Sequence, residues 1–179
     1  MTSARDAILT RIIDDVAANG LGDRSLRDLA AGIGSSHRLL LYHFGSRAGL
    51  VLAIVDRIEA DQRVAFRALA ERHDVPVELI RALWQQVSTP AMRPFIRLFF
   101  EAMASRIPGT EADRLTEPWL VESEGVTNRI GTAFDPVLVR LGIAVVRGLL
   151  LDVLATGQIE PANASLERFL TMWTTTPSP

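Results

Sequence analysis

The 179-residue sequence predicts an all-α protein, and three observations carry that prediction. Apolar residues recur at i, i+3, i+4 and i+7 in one segment after another. Glycine, proline and the capping residues Ser and Asp fall where each run stops and the next begins. No segment shows the period-two alternation that a half-buried strand requires.

Leu9, Ile12, Ile13 and Val16 mark the first helix, and Gly20 and Gly22 of "NGLGD" end it. Ser25 opens a short second helix carrying Leu26, Leu29, Ala30 and Ile33, with Asp28 placed three residues on as the partner of a capping box. "GIGS" breaks that helix, and "GSSHRLLLYHFGSR" supplies a third that closes at Gly45. Ser46 caps a fourth, expected to continue to Arg72. Asp74 is expected to cap the fifth, with Pro76 in its first turn. Leu79, Ile80, Leu83, Trp84 and Val87 give that helix its apolar face. After a reset at Pro90, Phe95, Leu98, Phe99, Ala102 and Met103 line a sixth, which "IPG" is expected to stop. A more polar helix is expected from Glu117 to Phe134, followed by a long apolar one from Val137 to Ala155. Leu166, Phe169, Leu170 and Trp173 line the last, before a frayed tail, "TTTPSP". The expected organisation is a three-helix helix-turn-helix module over 1–47, then a connecting helix and a larger helical body within 48–179.

Composition narrows the function. The chain is 48% hydrophobic and 22% charged, which suits a packed globular body and not a disordered tail. It has no cysteine, so disulfides, thiolate metal sites and cysteine nucleophiles are excluded. Arg5 and Asp6 sit inside the first apolar pattern, which a secretory signal would not tolerate. Arg140, Arg147 and Asp152 interrupt the long apolar helix, so it reads as a soluble core helix and the expected location is cytoplasmic, with no membrane partner. Net charge is −2, but the distribution is uneven. Arg24, Arg27, Arg38 and Arg47 face one acid, Asp28, across the second and third helices, whereas 98–135 holds seven acids against three arginines. A local basic patch is what phosphate binding needs.

The third helix needs both audiences that its composition suggests. Stepping about 100° per residue from Leu40 places Phe44 and Ser36 on one buried stripe, with Arg38 and Tyr42 about opposite. The outward side suits DNA. Arg38 can bond bidentately to guanine, and Leu39 can meet a thymine methyl. Tyr42 and His43 can reach sugar or phosphate, Arg47 is placed for a backbone phosphate, and Ser25 and Arg27 begin a helix whose amides favour one. With Ser36 and His37, these form the expected DNA-binding set.

"SLRDLAAGIGSSHRLLLYHFGSRAGL", Ser25 to Leu50, resembles the TetR family of bacterial transcriptional repressors without a gap. Asp28-Leu29-Ala30, Gly34, Ser36, Leu40, His43, Phe44, Ser46 and Leu50 fit the family pattern. The departures are Leu41 where Tyr is usual, Arg38 for a frequent Gly, Leu39 for Thr and Arg47 for Lys. The resemblance implies a homodimer that binds a palindromic operator on double-stranded DNA and releases it when a small apolar effector binds the C-terminal body. It also implies that the last two helices form the dimer interface, here with Val145, Leu149, Phe169 and Trp173. The excess apolar surface of 137–155, with Gly142 and Gly148 permitting close approach, agrees with that pairing. Trp84, Phe95, Phe99, Met103, Trp119 and Phe134 are the candidate effector contacts, each weighed against plain core packing. No catalytic or metal-binding set and no cofactor is expected: His37 and His43 do not share a face, and Asp14-Asp15 and Glu122/Glu124 diverge around their helices. A helical adaptor with a silent helix-turn-helix is the alternative.

Overall fold

The computed structural model describes residues 3–104, 113–132 and 134–175. Among them are nine α-helices, one 3-10 turn and no strand. The helices are α1 (Ala4–Asn19), α2 (Leu26–Gly32), α3 (His37–Phe44), α4 (Arg47–Ala70) and α5 (Pro76–Val87), then, after the turn Pro90–Met92, α6 (Arg93–Ala104), α7 (Asp113–Ile130), α8 (Pro136–Thr156) and α9 (Glu160–Thr175). No single helix among the described residues is long and apolar enough to cross a membrane.

Local chemistry sets most of the boundaries. Ser3 with Asp6, and Ser25 with Asp28, form reciprocal capping boxes that satisfy orphan amides at the starts of α1 and α2. Ser36 Oγ accepts from the Leu39 amide to open α3, and Ser46 Oγ accepts from the Gly49 amide to open α4. Asp135 takes the amides of Val137 and Leu138 at the head of α8. Gly45, at φ 73°, ends α3 in a conformation that a side chain would disfavour.

Three boundaries depart from expectation. Asp74 does not cap α5; Val75 occupies the cap position with extended backbone and no side-chain bond. The reason lies in Pro76 at the first helical position, which forces its predecessor to be extended and leaves Asp74 one residue too far back. The polar helix α7 starts at Asp113 rather than Glu117, because it takes Pro118 inside itself instead of stopping there, and it ends at Ile130. The fourth helix ends at Ala70, two residues short of Arg72. The expected stop at "IPG" and the final residues 176–179 lie outside the described residues.

The chain divides into two compact units: Met1–Ala60 with Ala91–Ser105, and Asp61–Pro90 with Arg106–Pro179. The division falls within α4, after Ala60, rather than after residue 47, and α6 joins the N-terminal unit. In that unit Ile12, Val16, Leu29, Leu40, Leu50 and Ile54 are fully buried, and α6 buries Phe95, Ile96, Leu98, Phe99 and Ala102. The second unit has one core of Trp84, Val87, Val153, Ala162, Leu166 and Leu170, and another of Phe66, Ala70, Leu79, Trp119 and Val126. A two-bond pair from Arg81 to Glu167, at 2.7 and 2.8 Å, ties α5 to α9 at its surface.

Candidate nucleic-acid interface

The turn between α2 and α3 is short. Ser35 donates its amide to Ala30 O at 2.8 Å, and Gly34, at φ 61°, reverses the chain. α3 therefore leaves the turn with one side committed. Leu40 is 0% exposed and Phe44 8%, while Tyr42 is 82% exposed and Arg38 also lies open. Leu39 and Leu41 are each about two-fifths exposed beside them. An outward face of Arg38, Leu39, Leu41 and Tyr42 mixes cation, phenol and aliphatic groups, the kind of surface that meets base edges and methyls in a groove.

His37 and His43 are half-buried at the flanks. The His43 ring stands edge-on to Tyr42 at 5.0 Å and to Phe44 at 6.2 Å, linking the exposed ring to the buried one. Arg5 of α1 lies 5.2 Å over the Phe44 ring from within the same unit. Ser36 departs from the expected buried stripe: it is exposed. As the cap of α3 it has extended dihedrals (φ −101°, ψ 143°), so the helical angular step does not reach back to it.

Ser25 and Arg27 are exposed at the start of α2. Hydrogen bonds from the Ser25 hydroxyl and amide to Asp28 hold that carboxyl below the usual carboxylate range. Arg47 is not free. Its Nη1 meets Glu101 Oε1 at 2.7 Å, its Nη2 donates to Gly22 O at 2.7 Å, and its Nε donates to Arg24 O at 3.3 Å.

Gly49 has no equivalent in the expected site, yet it holds α3 in place. A Cβ there would come within 2.2 Å of the Phe44 carbonyl oxygen. Only glycine lets the first turn of α4 lie against the end of α3, where the two helices bend by 66°. A glycine inside an expected helix was the one available signal.

By sequence, the chain matches no family model and no curated protein. By structure it resembles a TetR-family transcriptional regulator from Pectobacterium atrosepticum, with a TM-score of 0.71 at 18% identity over 97% of this chain and 95% of the other. A TetR-family member from Streptomyces coelicolor superposes with a TM-score of 0.67 at 23% identity over 98% and 100%. The multidrug-binding protein EbrR, solved with imidazole, gives 0.71 at 22% over 98% and 90%. The chain has the TetR-family fold.

In this TetR-like fold the candidate effector residues are distributed over both units. Phe95, Phe99 and Met103 belong to the N-terminal unit. Phe95 and Phe99 are buried beside Ile54, Val55 and Ile58 around a crevice of about 10 Å³, room for one water, while Met103 is 41% exposed. Trp84, Trp119 and Phe134 belong to the second unit. Trp84 is buried and its indole N–H donates to Asn163 at 2.7 Å; Trp119 stands edge-on to Phe66 at 5.8 Å; Phe134 is half-buried beyond the end of α7. A buried indole with a satisfied N–H, as at Trp84, is a core residue first.

All four expected interface residues are half-buried by their own chain. Leu149 and Phe169 pack against the Trp84 core, and Trp173 lies edge-on to Phe169 at 5.1 Å. A Cβ at Gly142 would sit 2.5 Å from the Trp173 ring, so Gly142 gives close approach to α9 of the same chain. Val145 is half-buried on α8. The open side of α8 is a different stripe: Val137, Leu141, Ala144, Gly148, Leu151 and Ala155. Val137 is 77% exposed, Leu141 50% and Leu151 48%. Their spacing of 4, 3, 4, 3 and 4 is a heptad seam, legible in the sequence but hidden there because α8 is apolar almost all round.

Proposed function

We propose that the chain is a DNA-binding transcriptional regulator that reads a palindromic operator with α3 as a homodimer. The observation that supports the reading is the two-sided α3, with Leu40 and Phe44 buried while Arg38, Leu39 and Tyr42 stand open on a helix-turn-helix. Arg38 and Leu39 contact base edges; Tyr42, His43, His37 and the exposed Ser25, Ser36 and Arg27 contact sugar and phosphate. Dimerisation uses the open seam of α8 from Val137 to Ala155, with Leu141 and Leu151 as its largest side chains and the expected Val145 and Leu149 on the same helix. Two α3 helices held about one DNA turn apart then address a twofold-symmetric site.

Release by a small apolar effector belongs to the same reading, supported by the likeness to EbrR, a multidrug-binding protein. Repression follows if the operator overlaps a promoter. The experiment is selection of bound duplexes from a random pool. The expected result is enrichment of a palindrome whose affinity falls steeply with salt as counterions are released. Recovery of no sequence, with no salt-dependent binding to any duplex, would favour the helical adaptor.

A further inference from the structure

We infer that Arg47 is a positioning residue that braces the reading module against α6 through Glu101, and not a phosphate ligand. The inference builds on the DNA-binding reading and assigns this residue its part in it.

Three nitrogens of one guanidinium are each spent inside the N-terminal unit. Nε and Nη2 take the carbonyls of Arg24 and Gly22, at 3.3 and 2.7 Å, and Nη1 takes Glu101 at 2.7 Å. Those carbonyls belong to the turn between α1 and α2, and Arg24 directly precedes the Ser25 cap. The turn is otherwise built on Gly20 and Gly22, both at positive φ. Arg24 itself reaches back, with Nη1 3.1 Å from Gly20 O and 2.6 Å from the Asp15 carboxylate. Two arginines thus form a line from Asp15 on α1, across the turn, to the first residue of α4 and on to Glu101 on α6.

A guanidinium presents its donors in a rigid planar fork, which spans three separated acceptors; an ammonium is a single compact point. Turning Arg47 toward a phosphate would abandon two backbone carbonyls and leave Glu101 unpaired. α6 belongs with the N-terminal unit through its buried face of Phe95, Ile96, Leu98, Phe99 and Ala102, and the brace adds a polar tie at its edge.

Arg47→Lys and Glu101→Gln separate the two roles. In the free protein, hydrogen exchange at the Arg24 and Ser25 amides, bonded to Leu21 O and Asp28, reads the turn. Both variants are expected to exchange faster there by roughly 3- to 10-fold, and the double variant to be little worse than either. On the duplex enriched from the random pool, both are expected to lose roughly 3- to 10-fold in affinity with an unchanged salt slope. Wild-type exchange in both variants overturns the brace. So does wild-type DNA affinity in Arg47→Lys, or tighter binding in Glu101→Gln, since a phosphate ligand keeps its charge in the first and loses a competitor in the second. If no duplex is enriched, the DNA reading fails, and the exchange data still decide the brace.

Discussion

α3 and α8 both expose large aliphatic side chains, and the difference between them separates two kinds of partner. On α3 the open leucines, Leu39 and Leu41, are interleaved with Arg38 and Tyr42 over about one turn. On α8 the open residues Val137, Leu141, Ala144, Gly148, Leu151 and Ala155 form an uncharged seam over nearly the whole helix, with the exposed Arg140 and Asp152 at its two edges. A mixed, short face fits a groove whose edges are donors, acceptors and methyls. A long uncharged face at heptad spacing fits another helix. Hydrophobic exposure alone would not tell these apart; the place of the charge does, within the face on α3 and at the edges of the seam on α8.

The largest expected effect breaks the α8 side. Leu151→Glu places a carboxylate on the apolar seam, and should weaken the dimer by about 100-fold or more. Analytical ultracentrifugation should find monomers at micromolar concentration with circular dichroism unchanged. A dimer that survives there moves the interface off this face. Next comes the frame that aims α3. Gly49→Ala would ordinarily favour a helix, yet here should destabilise the fold by about 3 kcal/mol, because the added methyl meets the Phe44 backbone and not a movable side chain. Thermal unfolding checks the sign; a stabilised variant would show that the α3–α4 junction can shift.

Arg38→Ala tests the α3 face itself. It should cost about 2 kcal/mol of operator affinity and relax base preference at one position per half-site, leaving the oligomeric state untouched. An unaltered preference in repeat selection would remove Arg38 from the reading face. The smallest effect concerns the cap. Ser25→Ala should lower stability by about 1 kcal/mol through the lost bond to the Asp28 amide. It should also let the Asp28 carboxyl return toward its ordinary 3.8, since its hydrogen bonds to Ser25 are what depress it. A depressed carboxyl contributes stability that is full above its unfolded value and is lost as pH falls through the lower folded value. The wild type should therefore lose more stability than Ser25→Ala as pH drops through and below 3.8, a difference visible in acid titrations of the two proteins.

Much of α3 was legible because the forces that shape it are local. Ser25 and Asp28, three residues apart, announce α2; Gly45 announces the end of α3; Leu40 and Phe44, four apart, announce its buried stripe. Ser36 escaped that logic by standing just outside the helix, where the angular rule no longer applies. Asp74 failed as a cap because Pro76 shifts the boundary by one residue. α8 was less legible because nearly every position is apolar, so periodicity could not choose its open side. Leu149 packs against the Trp84 core and Trp173 lies over Gly142, contacts that no periodicity in so apolar a helix marks.

By itself, then, the sequence determined the order of the helices, the caps at Ser25 and Ser46 and the opposed Leu40–Phe44 and Arg38–Tyr42 sides of α3, because each rests on residues within about one helical turn of each other. Only the tertiary structure decided what Arg47 and Gly49 do, which stripe of α8 stays open and how the aromatic residues divide between the units. Those outcomes depend on partners far along the chain. Arg47 and Glu101 are 54 residues apart, and Trp84 and Asn163 are 79 apart, and no local pattern marks either pair.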